Sequence, residues 1–327
     1  MKFSTMLAAA FAAVSLAAAI PAQAVEKVTI AWLPIMQTTA FYVAMKEGLF
    51  EKAGIEVNAV RFENPNQIVD ALVSGQADVG APGTAAGITA LAESRFPGTF
   101  KVFGLEGGGG PMHRIDDALI VANHSPIHSF KDLKGKTLGH LPGIQWRTIA
   151  RYMVRQAGLD PDKDVHLQDI ASGLQVPSVV SGSVDATLSL EPVGSIAAAS
   201  GDATRAVTNP AEAEIADPFY SGVSVLTTRF IAAHPDTARK IVAVLDQATR
   251  MANQSFDTYR PVIAHYTALR PNEASVVAQP YLRAWNEIDA TDIASYQALV
   301  DVFQKEGVLQ KHLDVSSLIL TSKDFPK

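Results

Sequence analysis

The chain has 327 residues, no cysteine, 27 Lys+Arg against 33 Asp+Glu, and a net charge of −6. Disulfides, thiolate metal centres, a cysteine nucleophile and a lipid-carrying N-terminal cysteine are thereby excluded. A mildly acidic chain without basic clusters offers no footing for nucleic acid or an anionic membrane surface, and the length suits one large domain or two of ordinary size.

Residues 1–24 read as a cleaved export signal. Lys2 is the lone early charge, 7–20 is a continuous apolar run rich in alanine, and Ala22-Gln23-Ala24 fits the small-x-small cleavage rule. That run falls short of the ~18 to 20 residues a bilayer span needs, and no later run qualifies. The mature chain is expected free in the periplasm; an uncleaved anchor is the alternative.

A short apolar strand is expected over 28–32, a polar loop over 34–39, and a helix over 39–46 with Thr39 as N-cap and Gly48 as stop. A second strand spans 56–61. Asn64-Pro65-Asn66-Gln67 then opens a helix, with Asn64 as N-cap, Pro65 at N1 and an Ile68, Val69, Leu72, Val73 stripe ended by Gly75. A third strand over 78–81 leads through Pro82-Gly83-Thr84 into a small-residue helix over 85–93, and a fourth strand covers 100–105. Strands alternating with helices predict an open α/β sheet. The four glycines 107–110 lack the Lys-Ser/Thr of a phosphate loop, so they read as a flexible connection near a crossing between domains.

From Leu119 the design repeats. Leu33-Pro34-Ile35-Met36-Gln37 returns as Leu141-Pro142-Gly143-Ile144-Gln145, 108 positions later. Val73-Ser74-Gly75-Gln76-Ala77-Asp78-Val79 returns as Val180-Ser181-Gly182-Ser183-Val184-Asp185-Ala186, 107 positions later. Two matches in one order at nearly one offset predict two lobes of common plan. The second lobe reads as strand 137–140, loop 141–146, helix 147–156, strand 165–170, short helix 177–181 and strand 185–190, with Ala206 and Val207 closing it. Residues 221–228 form a strand returning to the first lobe. Two long amphipathic helices follow, one starting at His234-Pro235 and one carrying Ile293, Tyr296, Leu299, Val300 and Phe303, clasping that lobe. The expected bounds are 25–110 with 222–327 for lobe 1, and 111–221 for lobe 2.

In open α/β sheets ligands sit beyond the carboxyl ends of the strands. Four loops should therefore meet at one cleft, and the candidate contacts are Gln37, Thr38, Thr39, Ala40, Gly83, Thr84, Ala85, Gly143, Ile144, Gln145, Trp146, Arg147 and Glu191. Thr84 and Glu191 fall at equivalent places on opposite walls, a hydroxyl facing a carboxylate. Arg147 in a helix's first turn opposes the macrodipole by ~0.3–1 kcal/mol, which an anionic partner would offset. Trp146 is suited to stacking on a flat ligand or to core packing. His113, Arg114 and His140 fall near the same cleft. Asp78 and Asp185 read as turn residues, and the shared Leu-Pro-x-x-Gln frame as scaffold. No catalytic set assembles: there is no His-x-x-x-His on a helix, no Gly-x-Ser-x-Gly and no nucleotide fingerprint. No cofactor or metal is expected.

Several stretches together carry a family resemblance. They are Ala40-Phe41-Tyr42-Val43-Ala44, Glu47-Gly48-Leu49-Phe50-Glu51-Lys52-Ala53-Gly54-Ile55-Glu56-Val57, Ser74-Gly75-Gln76-Ala77-Asp78-Val79-Gly80, Asp132-Leu133-Lys134-Gly135-Lys136, and Val184-Asp185-Ala186 with Glu191-Pro192. As a set over residues 28–192 they resemble the periplasmic solute-binding proteins of ABC importers, in the nitrate, sulfonate, taurine and thiamine-pyrimidine subgroup. The resemblance implies a type II periplasmic binding protein fold: two similar α/β lobes with mixed, mostly parallel sheets and a hinge between them. It also implies a monomer that closes on a small-molecule ligand and delivers it to an inner-membrane permease, with contacts from loops matching 37–40, 83–85, 143–146 and Glu191. Sulfonate and taurine binders resemble one another in carrying small hydroxyl residues where this chain has Gly143-Ile144-Gln145-Trp146, so a larger, flatter or more apolar solute is expected. An enzyme on the same fold, a lyase or a pyrimidine-forming protein, is the alternative, as is a sensor partner of a membrane receptor.

Overall fold

The computed structural model describes residues 25–267 and 269–326. The expected export signal lies outside them. Eleven strands are present among the described residues: β1 (Glu26–Trp32), β2 (Ile55–Arg61), β3 (Val79–Ala85), β4 (Phe100–Gly108), β5 (Asp117–Ala122), β6 (Lys136–His140), β7 (Val165–Asp169), β8 (Ala186–Leu190), β9 (Ala203–Thr208), β10 (Phe219–Thr227) and β11 (Tyr281–Ala284). They form two sheets, ordered β11-β4-β10-β3-β1-β2 and β7-β6-β8-β5-β9.

The two sheets share one plan. In the first, β2, β1 and β3 run parallel, and β10 and β4 follow antiparallel. In the second, β7, β6 and β8 run parallel, and β5 and β9 follow antiparallel. The parallel share is smaller than expected, because each chain segment that passes between lobes enters its new sheet antiparallel.

The repeated Val-Ser-Gly-x-x-Asp segment explains why each lobe begins alike. Gly75 (φ +82°) and Gly182 (φ +75°) adopt the left-handed conformation that ends a helix, where a Cβ would be strained. Three residues on, the Asp78 carboxylate accepts the Thr29 amide at 3.0 Å, and the Asp185 carboxylate accepts the Thr137 amide at 2.8 Å. Each aspartate thus ties the turn after a helix to the neighbouring parallel strand. The turn reading holds at both places.

Helix Thr39–Lys46 is where expected, although its N-cap is Thr38 and the Thr39 hydroxyl instead donates back to the Met36 carbonyl. Asn64 caps helix Pro65–Ser74 by accepting the Asn66 amide at 2.9 Å. Helix Ile144–Gln156 starts three residues before the expected boundary, so Trp146 and Arg147 are helical and the preceding loop is short. Pro82, Gly83 and Thr84, expected in a loop, continue β3. Gly107 and Gly108 belong to β4 and are buried rather than flexible. A Cβ at Gly107 would collide with the Phe219 carbonyl, so glycine lets β4 and β10 approach. Helix Pro235–Gln254 buries Ile241, Val244, Leu245 and Ala248 against helix Thr39–Lys46, each larger side chain contributing about 1.5–3 kcal/mol.

Two segments cross between the sheets, 109–116 and 209–218, and they are tied together. Asn209 accepts the Asp116 amide on its side-chain oxygen at 3.0 Å and donates its Nδ2 to the Arg114 carbonyl at 2.8 Å. Gly110 N–H donates to Asp217 Oδ1 at 2.6 Å.

Candidate functional site

The carboxyl ends of β1, β3, β6 and β8 point into the space between the lobes. The loop after β1 is held in shape by Tyr42, whose buried hydroxyl lies 2.9 Å from the Leu33 carbonyl and 3.0 Å from that of Ile35. Burial pushes the Tyr42 phenol well above its usual range, so it stays a neutral donor. The Gly83 backbone has φ +92°, and a Cβ there would stand 3.0 Å from Thr38 Oγ1 and 3.1 Å from Gln37 Cβ. Only glycine lets these loops meet so closely.

Two glutamines at the repeated positions reach across the cleft. Gln37 Nε2 donates to both oxygens of Asp116, at 2.8 and 3.0 Å, and lies 2.6 Å from Ser221 Oγ. Gln145 Oε1 accepts the Gly87 amide at 2.7 Å, and its Nε2 donates to the Ser221 carbonyl at 2.8 Å. Both therefore converge on Ser221, where the chain re-enters the first sheet. The Leu-Pro-x-x-Gln frame positions this clasp as well as supporting the loops. Two backbone contacts join it: Met36 N–H donates to the Glu191 carbonyl at 3.2 Å, and Ile144 N–H approaches Asn66 Oδ1 at 3.4 Å. Gly143 (φ +105°) makes the second possible, since a Cβ would come within 2.8 Å of the same Asn66 oxygen.

The other predicted residues divide. Trp146, 2 % exposed, lines the cleft with Pro65, Leu141 and Leu190. Ala85 lines it too, whereas Ile144 does not and packs half-buried against the core. Ala40 is buried in the first lobe's core beside Phe41 and Tyr42. Thr84 directs its hydroxyl to the Ala81 carbonyl at 2.8 Å. The anionic partner of Arg147 is Asp169, at 2.8 Å on the surface, with the arginine side chain 52 % exposed. Glu191 is held inside the second lobe, its carboxylate accepting Arg205 Nη2 at 2.7 Å and the Ser195 amide at 3.0 Å. His113 sits exposed in the crossing turn, and the half-buried Arg114 contacts Met112. Burial lowers the pKa of His140, whose Nδ1 lies 3.0 Å from the Leu141 carbonyl, so the ring is neutral with its proton on Nδ1.

The sequence did not single out Glu106, Asp116 and Asp117. Glu106 accepts the Gly83 amide at 3.0 Å and the Ser224 hydroxyl at 2.6 Å. Burial pushes its carboxyl up to about 7, against the pull of those donors, and the nearby Asp116 adds to the rise. Burial likewise pushes Asp116 up to about 7, Gln37 and Ser221 opposing and Glu191 adding. Asp117 is raised well above its usual range by burial and by Asp116. The available signal was one acidic side chain inside the apolar 100–105 run's continuation and a pair opening the apolar 118–121 run, because carboxylates in such settings are rarely buried without purpose.

The lobes as they stand enclose a cavity of about 10 Å³ lined by Gln37, Gly83, Gln145, Trp146 and Ser221, room for about one water. A solute of any size enters only if the lobes part. Among the described residues no group of His, Asp and Glu is arranged to hold a metal ion, and no helix is long and apolar enough to cross a membrane. Geometry of this kind is suited to enclosing a small molecule.

Solved structures of similar shape carry low sequence identity and so speak to the fold. The aliphatic sulphonate-binding protein of Escherichia coli matches with TM-score 0.70 at 18 % identity, over 90 % of this chain and 92 % of that one. The alkanesulfonate-binding protein of Xanthomonas axonopodis pv. citri, bound to MOPS, matches with TM-score 0.72 at 17 % identity, over 91 % and 99 %. The nitrate-binding protein of Synechocystis PCC 6803 gives 0.70 at 12 %, over 92 % and 91 %. A curated relative, the 4-amino-5-hydroxymethyl-2-methylpyrimidine phosphate synthase of Schizosaccharomyces pombe, is 25 % identical over 151 residues, 46 % of this chain. The chain spans 40 % of that relative's length. The family model described as NMT1/THI5 like matches residues 35–255, and the chain belongs to that family.

Proposed function

We propose that this protein is the periplasmic solute-binding component of an ABC importer, with residues 1–24 as its export signal. It captures a small organic solute between lobes 25–110 with 222–327 and 111–221, closes by hinge motion, and presents the closed form to a membrane permease. The observation that carries this reading is the clasp. Gln37 through Asp116, Gln145 through Gly87, and the Met36–Glu191 contact bridge the two lobes where four strand ends converge. The Asn209 tie at the crossing segments supplies a pivot beside them. Binding energy is then used to shift an open–closed equilibrium, which requires the solute to touch both lobes. Kinship in shape to sulphonate-binding and nitrate-binding proteins supports the same reading.

The test is native mass spectrometry of the purified protein for a retained solute, followed by small-angle scattering with that solute removed and restored. A solute that shrinks the radius of gyration is expected; one that leaves it unchanged refutes capture by closure.

A second reading, a pyrimidine-forming enzyme, is favoured by the Schizosaccharomyces pombe relative. Conversion of the retained compound to a product of different mass on incubation would establish it over the first.

A further inference from the structure

We propose, resting on the solute-capture reading, that Glu306 with Arg151 and Arg155 forms a second interlobe latch outside the cleft, which regulates how readily the site opens without touching the solute. Helix Ile144–Gln156 follows β6 of the second sheet, and helix Ala290–Lys305 follows β11 of the first. Where the two helices meet, Arg155 Nε donates to both carboxylate oxygens of Glu306, at 3.0 and 3.2 Å. Arg151 Nε lies 3.5 Å from Glu306 Oε2. Lys305 Nζ stands 5.8 Å from the centre of the Tyr152 ring, a further charged contact between the same helices.

Burial at this contact is one-sided. The Glu306 side chain is 2 % exposed, against 27 % for Arg151 and 45 % for Arg155. Glu306 also caps the C-terminal end of its helix, where the macrodipole is negative. A buried carboxylate there is costly unless cations face it, and both of its cations stand on the other lobe. Asp162 holds those cations ready: its two oxygens accept Arg151 Nη1 and Nη2 at 2.6 and 2.8 Å, which leaves Nε for Glu306. Asp162 belongs to the arginines' own lobe. Parting the lobes therefore leaves the arginines their aspartate and strips Glu306 of the ion pairs it has among the described residues. Helix Ile144–Gln156 is thus pinned to the first lobe twice, by Gln145 in its first turn and by Arg151 and Arg155 in its last two. Gln145 lines the cleft; Arg155 lies about 15 Å further along the helix axis, away from the solute.

The chain has no cysteine, so Gln67→Cys and Gln168→Cys, at exposed positions on the two lobes, give unique sites for spin labels. Pulsed electron–electron double resonance on the purified, solute-free protein then reads the separation of the lobes. The labelled pair alone should show a short-distance population. Glu306→Gln should lower its ratio to the long-distance population about tenfold, the low end for a charge-assisted bond because water reaches both arginines. Glu306→Gln with Arg155→Met should lose little more than Glu306→Gln by itself, since the two residues share one interaction. Raising chloride from about 0.05 to 0.5 M should deplete the short population in the labelled pair and leave it nearly constant once Glu306→Gln is present. Circular dichroism verifies folding, and a purely structural role would lower resistance to urea while leaving the distances unchanged. A distribution that Glu306→Gln does not alter, losses that add in the double variant, or the same salt response with and without Glu306 each overturn the latch. These outcomes leave solute capture standing so long as a retained solute, added back, enriches the short distance; without that enrichment it is the capture reading that fails.

Discussion

Replacing Asp116 by asparagine should flatten the pH dependence of folding stability. In the folded protein the Asp116 carboxyl is pushed from 3.8 up to about 7, mainly by burial. That is on the order of a thousandfold in proton affinity, or about 4 kcal/mol. Glu106, raised from 4.5 to about 7 for the same reason, contributes about 3 kcal/mol. The sign follows from which state holds the proton. Between the ordinary carboxylate values and about 7, the folded chain keeps protons that the unfolded chain has released. The contribution is therefore fully present below pH ~4, falls as pH rises, and is gone above about 7. The two groups repel one another, so removing one relaxes the other, and water entering a parted cleft limits the loss. Urea denaturation from pH 4.5 to 8 is the assay. The wild type should lose several kcal/mol more over that range than Asp116→Asn, with Glu106→Gln intermediate. Equal slopes in all three proteins would refute the assignment of these carboxyls as buried and uncompensated.

Three further outcomes are expected. Gln145→Ala removes the bonds to Gly87 and Ser221, costing the closed form about 2 kcal/mol and moving the open–closed ratio about thirtyfold; an unchanged radius of gyration and solute affinity would count against the clasp. Asp78→Ala and Asp185→Ala each free one strand amide and should lower stability by similar amounts, about 1.5–3 kcal/mol, without altering solute affinity; a large difference between them, measured by chemical denaturation, would contradict their equivalence. Arg205→Met leaves the buried Glu191 carboxylate with only the Ser195 amide, and should destabilise by about 3–5 kcal/mol. A neutral result in the same denaturation assay would show that the pair carries little.

Much of the architecture was legible because it is written locally. Asn64 before Pro65 marks a helix start wherever it occurs, and Gly75 and Gly182 mark helix ends because few other residues accept a left-handed backbone. The misreadings were also local. Pro82 to Thr84 and Gly107 to Gly108 have loop composition, yet they are strand, since neighbours in the sheet override propensity when glycine lets two backbones approach. Arg147 looked like a ligand residue because it opposes its helix; Asp169, 22 positions along, supplies the counter-charge.

The site is a different case. The loops that compose it could be named from the 107–108 offset and the rule that strand ends gather ligands. Their contents could not be ordered. Gln37 meets Asp116 across 79 positions, Gln145 meets Ser221 across 76, and Glu106 meets Ser224 across 118. Hydrophobic period, caps and glycine stops are set by each residue's near neighbours, and so they specify two lobes of one plan. Which charges are buried together, and whether a cation lies among them, depends on how those lobes face each other, and that is a property of the folded pair alone.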